Sequence, residues 1–142
     1  MRLIKEIILH CSATWSKQDI GAKEIRQWHV KGNGWRDIGY HYVIRRNGLI
    51  EPGRDLNEVG AHCTNHNASS IGICMVGGGP NGEDPYFTKE QFDSLALLVK
   101  FLRMRFPKAT IYGHKEFANK ACPVFSVPKF LDEYGIPKEG EK

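Results

Sequence analysis

An unbroken apolar run at 71–76 constrains the fold of this chain more than any other stretch. The run reads Ile-Gly-Ile-Cys-Met-Val and contains no charged side chain. A strand with one face in water alternates apolar and polar residues, whereas a continuous run indicates a strand covered on both faces. We therefore expect this segment to be the buried central strand of a sheet.

Turn and capping residues divide the rest of the chain into elements. Asn47-Gly48 is a typical two-residue hairpin turn, and Thr88 with Gln91 forms the capping box of a long helix that Pro107 ends. Asp19 is the expected N-cap of the first helix. The predicted elements are a strand at 3–9, a helix within 21–31, a hairpin of 41–46 and 49–51, the central strand at 71–76, a helix from 88 to 106, a strand at 109–112 and a short helix near 127–134.

This order predicts an α/β fold with a single domain, in which a central mixed β-sheet is flanked by helices. The length of 142 residues suits one domain with a substantial core. We expect the domain to span residues 1–137 and residues 138–142 to form a frayed C-terminal tail. Residues 53–70 lack periodicity, and a long ordered loop in a compact domain is usually functional.

Composition excludes several classes of function. A net charge of +4 from 20 basic and 16 acidic residues is too mild and scattered for a nucleic-acid-binding protein. No run reaches the roughly 18 apolar residues of a membrane span, and Lys5 and Glu6 interrupt the first apolar run, so no signal peptide is expected. We expect synthesis in the cytoplasm, reduced thiols and, by default, a monomer.

The segment from Gly113 to Pro123 carries the strongest chemical signal. It holds His114 and Cys122 directly after a predicted strand, and imidazole and thiolate are a ligand pair that zinc favours. His10, at the end of the first apolar run, is the best candidate for a third ligand. Two histidines and one cysteine would leave one tetrahedral position open, which is typical of a catalytic zinc site.

A hydrolytic zinc site also needs a group that stabilises the developing oxyanion and a group that transfers protons. Lys120 lies two residues before Cys122, and Tyr40 starts the hairpin strand after Gly39. Structural interpretations stay open at this point: Lys120 as a solvated surface charge, Tyr40 as a core ring, His10 as a strand-end histidine and Cys122 as a buried thiol.

A rival functional interpretation makes Cys122 a nucleophile and His114 its base, as in cysteine hydrolases. Pro123 weakens it, because proline supplies no N–H group to lower the pKa of the preceding thiol. A nucleotide site in the glycine-rich stretch 77–82 is disfavoured, because the lysine and Ser/Thr that end a phosphate loop are missing.

Five ordered motifs together resemble the zinc-dependent N-acetylmuramoyl-L-alanine amidases, in particular the bacteriophage amidase-type lysozymes, and the related peptidoglycan recognition proteins. The resemblance covers nearly the whole chain, from about residue 10 to 130, and the fold it implies agrees with the mixed sheet predicted above. The motifs are His10–Thr14, Gly39–Tyr42, Gly60–His62, Asn67–Gly72 and His114–Pro123.

The resemblance implies a set of roles for individual residues. It implies that His10, His114 and Cys122 bind one zinc ion per chain and that Tyr40 and Lys120 are the catalytic side chains. The implied reaction is hydrolysis of the amide between the lactyl group of N-acetylmuramic acid and L-alanine, with peptidoglycan or a muropeptide as substrate.

The loop that contains His62 and Asn67 resembles the substrate-groove wall of these enzymes, and both residues are expected to bind substrate. Structural roles stay open as alternatives to substrate binding, namely hydrogen bonds between His62 and the backbone and a turn formed by Asn67. The chain departs from the phage pattern at Asn65, where the phage enzymes tend to carry glycine. Asparagine tolerates positive φ better than most residues, so we expect the loop to keep its shape.

Two functional hypotheses remain beside the cysteine hydrolase. The first is a lytic, endolysin-like amidase that reaches the cell wall after lysis or delivery. The second is a recognition module that binds peptidoglycan without cleaving it; relatives of this kind have lost the cysteine ligand, whereas Cys122 is present here.

Overall fold

The computed structural model describes residues 2–142, which form one mixed sheet of five strands with three α-helices. The α/β class and the predicted order of elements are confirmed. The strands are β1 (Glu6–Cys11), β2 (Tyr42–Ile44), β3 (Ile50–Pro52), β4 (Ser70–Met75) and β5 (Thr110–Gly113), and the helices are α1 (Ala22–Gln27), α2 (Lys89–Arg105) and α3 (Val127–Glu133).

The strands lie in the order β3-β2-β4-β1-β5. β1 pairs in parallel with both β4 and β5, β2 is parallel to β4, and only the hairpin partner β3 runs antiparallel. Parallel strands bring their carboxyl ends to the same edge, where ligand sites of open α/β sheets lie. The residues that end β1 and follow β5 therefore meet at one edge.

The central strand β4 is buried along its whole length, as its sequence predicted. Its alternate side chains Ile71, Ile73 and Met75 belong to the larger core, which includes Leu95 and Leu102 of α2. The opposite face carries a second, smaller core that joins strand residues to the region of α1: Ile20, Ala22, Ile25, Ile38, Val43, Cys74 and Val76.

The start of α1 differs from the prediction. Gly21, not Asp19, is the N-cap residue, and the Glu24 carboxylate accepts a hydrogen bond from the Gly21 N–H at 2.7 Å. The Asp19 carboxylate instead accepts a hydrogen bond from Arg45 at 2.8 Å. After α1 the chain continues as a π-helical turn, Trp28–Gly32. The Asp19 carboxylate therefore pairs with Arg45 instead of capping α1.

The capping box of α2 is confirmed. The Thr88 hydroxyl accepts from the Gln91 N–H, and the Gln91 side-chain oxygen accepts from the Thr88 N–H, both at 3.0 Å. Gln91 is fully buried, and its amide nitrogen also donates to the carbonyl of Val76 at 2.9 Å and of Ile44 at 3.3 Å. One side chain therefore caps the helix and ties it to the sheet.

Two further expectations concern the whole chain. All four cysteines are free thiols, as predicted. Within residues 2–142 no helix has the length and apolar character needed to cross a membrane.

The domain boundary at residue 137 stays a prediction. Residues beyond it contact the body of the domain, because the Ile111 N–H donates to the Lys138 carbonyl at 2.9 Å and the Glu141 N–H donates to the Pro107 carbonyl at 2.7 Å.

We predict that Gln91→Met lowers the free energy of unfolding by about 1–3 kcal/mol, because a buried amide that satisfies several backbone groups is replaced by an apolar side chain of similar length. Denaturant unfolding of the two proteins measures the difference. The control is Gln27→Met, at an exposed position of α1, where the same chemical change should have little effect. Equal effects at the two positions would contradict the proposed tether.

Candidate active site

His10 and His114 meet because β1 and β5 are paired in parallel. Leu9 lies opposite Gly113 in the register. The residue that follows each of them in the chain is a histidine. The two rings lie with centroids 4.5 Å apart. His10 is buried on β1, with 1% exposure, and His114 begins a short 3-10 turn directly after β5.

Cys122 reaches the two histidines through a closed loop. The Lys115 N–H donates to the Cys122 carbonyl at 2.8 Å, which brings the two ends of the segment together. The Cys11 N–H, at the end of β1, donates to the Cys122 sulfur at 3.1 Å. As a result, potential ligand atoms of His10, His114 and Cys122 all lie within 4.8 Å of one another.

The protonation of the two histidines suits metal binding. Burial lowers the pKa of His10 well below its usual value, with further lowering by His62, His114 and Lys120. Burial and the Lys120 ammonium also lower the pKa of His114. Both rings are therefore neutral at neutral pH, and a neutral imidazole has a lone pair for a metal.

The cysteine requires a cation to ionise. The side-chain interaction with the Cys11 thiol and burial raise the pKa of the Cys122 thiol, and they outweigh the opposite effect of the Cys11 backbone N–H. A coordinating metal ion deprotonates a thiol outright. Two imidazoles and one thiolate, with a side open to a cavity, are a donor set that fits a catalytic zinc ion.

Tyr40 and Lys120 lie beside this cluster. The Tyr40 ring centroid is 5.1 Å from that of His10, and burial, together with the neighbouring thiols of Cys74, Cys122 and Cys11, raises the pKa of the Tyr40 phenol well above its usual value. Lys120 is exposed on the wall of the cavity. Tyr40 can therefore donate a hydrogen bond, and Lys120 brings a positive charge.

An open cavity of about 370 Å³ faces the cluster. Five of the seven predicted site residues line it, whereas His10 and Cys122 do not. The five lining residues are Tyr40, His62, Asn67, His114 and Lys120.

The chain matches a known protein family. Residues 1–125 match the model of a family described as N-acetylmuramoyl-L-alanine amidase. The chain belongs to that family.

Among the relatives of this amidase are phage endolysins. It is 44% identical to the endolysin of Escherichia phage T7 over 129 residues, which cover 89% of this chain and 85% of the phage protein. It is 43% identical over 128 residues to the endolysin of Enterobacteria phage K11, covering 89% and 84% of the two chains.

The fold matches that of a solved amidase. The N-acetylmuramoyl-L-alanine amidase LysC from Clostridium intestinale superposes with a TM-score of 0.82 at 29% identity, covering 96% of this chain and 88% of the other. The mixed sheet flanked by helices is therefore the fold of this family.

Sequence reasoning missed three aromatic residues of the cavity wall: His29, Trp35 and Phe117. The His29 Nδ1 accepts a hydrogen bond from the Gly39 N–H at 2.9 Å, and its ring lies 4.7 Å from that of Trp35. A signal for His29 was available, because it follows the buried Ile25 of α1 by four residues and shares its helix face. Trp35 and Phe117 follow turns and have no periodic signal.

Asn67 lines the cavity and also holds its wall in shape. Its side-chain oxygen accepts hydrogen bonds from the N–H groups of His62 and Cys63, each at 2.9 Å. Asn65 has a φ of 73°, so the positive φ expected for this position is confirmed. Substrate binding by His62 and Asn67 stays a prediction.

Two arginines hold the loop at 53–70 in place. Arg2 donates to the carbonyls of Leu56 at 2.8 Å and of Ser70 at 3.0 Å. The buried Arg54 donates to the carbonyls of Ile38 at 2.9 Å and of Val59 at 2.8 Å. The loop is therefore ordered by side-chain to backbone bonds rather than by regular structure.

His41 is buried under the same loop and has a structural role. Its Nδ1 accepts from the Gly72 N–H at 3.0 Å, and its Nε2 donates to the Glu58 carbonyl at 2.9 Å. Burial, with the nearby Arg2 and Arg54, lowers the pKa of His41 from 6.5 to about 4.

This lowered pKa predicts a loss of stability in acid. The unfolded chain binds a proton at His41 near pH 6.5, whereas the folded protein binds it only near pH 4. Stability from this group is therefore complete above pH 6.5 and decreases as the pH falls to 4, by up to about 3 kcal/mol. Denaturant unfolding across this range, with chelator present to exclude metal effects, measures the loss. His41→Asn keeps an acceptor for the Gly72 N–H and should reduce the dependence by the His41 part, while His10 and His62, whose pKa values burial also lowers, keep the rest. An unchanged pH dependence would contradict the assignment.

Proposed function

We propose that this amidase hydrolyses the amide between the lactyl group of N-acetylmuramic acid and the L-alanine of the stem peptide, with one zinc ion per chain. The observation that carries the proposal is the convergence of His10, His114 and Cys122, whose ligand atoms lie within 4.8 Å of one another beside an open cavity. Family membership supports the amide bond and the polymer as the targets.

The zinc ion, when bound, would supply Lewis acidity and a water ligand of lowered pKa. The protein side chains then act on the substrate. Lys120 is placed on the cavity wall to stabilise the oxyanion that forms when the amide carbonyl is attacked. Tyr40, which keeps its proton, donates a hydrogen bond to the reacting water or carbonyl.

The cavity suits one extended chain of a muropeptide rather than a flat polymer surface. His29, Trp35 and Phe117 line the cavity. Aromatic faces of this kind pack against apolar parts of a sugar or peptide. We propose that His62 and Asn67 belong to the surface that contacts the substrate.

Two other functions fit the site less well. A cysteine hydrolase needs a thiolate at Cys122, but the raised pKa of that thiol disfavours one in the absence of a metal. A non-catalytic recognition module would not need Tyr40 and Lys120 beside the ligand cluster, yet both line the cavity together with His114. Hydrolysis is therefore the function that the geometry supports best.

The phage endolysins among its relatives favour a lytic role. We propose that the protein acts as a monomer and reaches the wall after lysis or delivery.

The decisive experiment combines metal analysis with mass spectrometry of digested peptidoglycan. One zinc per chain, with chelator-sensitive release of stem peptides that begin at L-alanine, is expected. Bound zinc without release would indicate the recognition module. Release that survives chelation but not thiol alkylation would indicate the cysteine hydrolase.

We predict that Cys122→Ser abolishes both zinc binding and activity, because a hydroxyl is a poor replacement for a thiolate ligand. Metal content after dialysis and the rate of peptidoglycan cleavage measure the two effects. The control for zinc content is Cys63→Ser, since Cys63 is a buried thiol outside the ligand cluster. Full zinc content in Cys122→Ser would exclude Cys122 as a ligand.

We predict that Lys120→Ala and Tyr40→Phe keep stoichiometric zinc while kcat/KM falls by about 10²–10³-fold, because each removes a group that acts on the reacting atoms. The matched controls are Lys115→Ala in the same loop and Tyr86→Phe at an exposed position. Cleavage at the wild-type rate by either test variant would remove that residue from the catalytic set.

A further inference from the structure

A chain of three polar side chains leads from the ligand cluster into the sheet. His10 Nε2 lies 2.8 Å from His62 Nδ1, and His62 Nε2 lies 3.2 Å from the hydroxyl oxygen of Ser70. Ser70, the first residue of β4, is fully buried. Both ring nitrogens of His62 are therefore engaged, one with a candidate metal ligand and one with the sheet.

The direction of these hydrogen bonds decides which nitrogen of His10 can bind a metal. A neutral imidazole carries one N–H and one lone pair. If His10 donates from Nε2 to His62, its Nδ1 keeps the lone pair, and His62 donates from Nε2 to Ser70. The reverse direction would put the His10 proton on Nδ1 and leave no nitrogen for a metal. Only the first direction is compatible with a ligand at position 10.

Two glycines make room for the His62 ring. A Cβ atom at Gly72 would lie 2.6 Å from Cγ of His62, and one at Gly60 would lie 2.8 Å from its Cδ2. Real Cβ atoms do not approach ring atoms so closely, so a side chain at either position would displace the ring. The slot, together with the hydrogen bond from the His62 N–H to Asn67, fixes the ring in front of His10.

We propose that His62 is a positioning residue that holds His10 with its proton on Nε2 and its Nδ1 free for the metal, and that Ser70 anchors His62 in turn. This inference rests on the proposed zinc centre. Metal-ligating histidines usually donate their second nitrogen to a carboxylate, a carbonyl or water. Here a neutral imidazole is the acceptor. Loss of such a partner typically weakens metal binding by about 10–100-fold.

The same geometry limits how His62 can touch a substrate. Because both nitrogens are occupied, the ring offers its carbon face to the cavity rather than a free donor or acceptor. His62 would then contribute shape to the groove and orientation to the ligand behind it.

The test is the zinc affinity of the purified protein, measured by competition with a chromogenic chelator. His62→Phe keeps an aromatic ring but removes the acceptor, and we expect its zinc affinity to fall about 10–100-fold. His62→Asn places an amide near the position of Nδ1 and should restore affinity to within a few-fold of wild type. His66→Phe is the matched control, because His66 lies in the same loop and stacks on Phe117 without contacting His10.

A second variant tests the position of the ring while His62 is retained. Gly72→Ala should displace the His62 ring and lower zinc affinity to a similar degree. In the His62→Phe background the same change should cost no further affinity, because the acceptor is already absent. Thermal unfolding of the metal-free proteins separates this effect from a general loss of stability.

The outcomes distinguish this inference from the proposed function. Wild-type zinc affinity in His62→Phe, with zinc still bound by the native protein, would overturn the role of His62 and leave the zinc centre intact. Equal losses in His62→Phe and His62→Asn would show that the ring is needed for packing and would also overturn it. A native protein that binds no zinc would overturn both.

Discussion

The candidate active site depends on the parallel pairing of one strand with two neighbours. β1 lies between β4 and β5, and all three end at the same edge of the sheet. His10 and His114, which are distant in sequence, each follow one residue of the Leu9–Gly113 register pair and therefore meet at that edge. Because the interior of the sheet is close-packed and hydrogen-bonded on both sides of β1, their separation is fixed by the backbone rather than by flexible loops.

Polar groups next to this rigid edge are held by long-range bonds. Arg2 and Arg54 satisfy backbone carbonyls of a loop that has no strand or helix to pair with over most of its length. Buried carbonyls without such partners would be costly. The loop that carries His62 and Asn67 is thus shaped by residues outside the cavity.

The sequence predicted the features that depend on local pattern. The central strand, the hairpin at Asn47-Gly48 and the capping box at Thr88 follow from periodicity or from short-range hydrogen bonds, and all three are present. The sequence also proposed His10, His114 and Cys122 as ligands; their ligand atoms lie within 4.8 Å of one another, and their role as ligands stays a prediction. Periodicity, turn residues and capping hydrogen bonds between neighbouring residues can be predicted without a structure.

Features set by distant partners were not predictable in the same way. The start of α1 shifted because Asp19 pairs with Arg45. His29 and Trp35 line the cavity because the turn after α1 folds back over Tyr40. The contact between His10 and His62 joins residues 52 positions apart, and neither spacing nor composition indicates it.

The make-up of the ligand cluster has an electrostatic consequence. In the proposed zinc centre, two neutral imidazoles and one thiolate would bring a single negative charge to a divalent ion, so the loaded centre would have a net charge of about +1. Lys120 on the adjoining wall adds a second positive charge. The groove would therefore present a concentrated positive potential to the carboxylates of a stem peptide, although the protein as a whole carries a net charge of only +4.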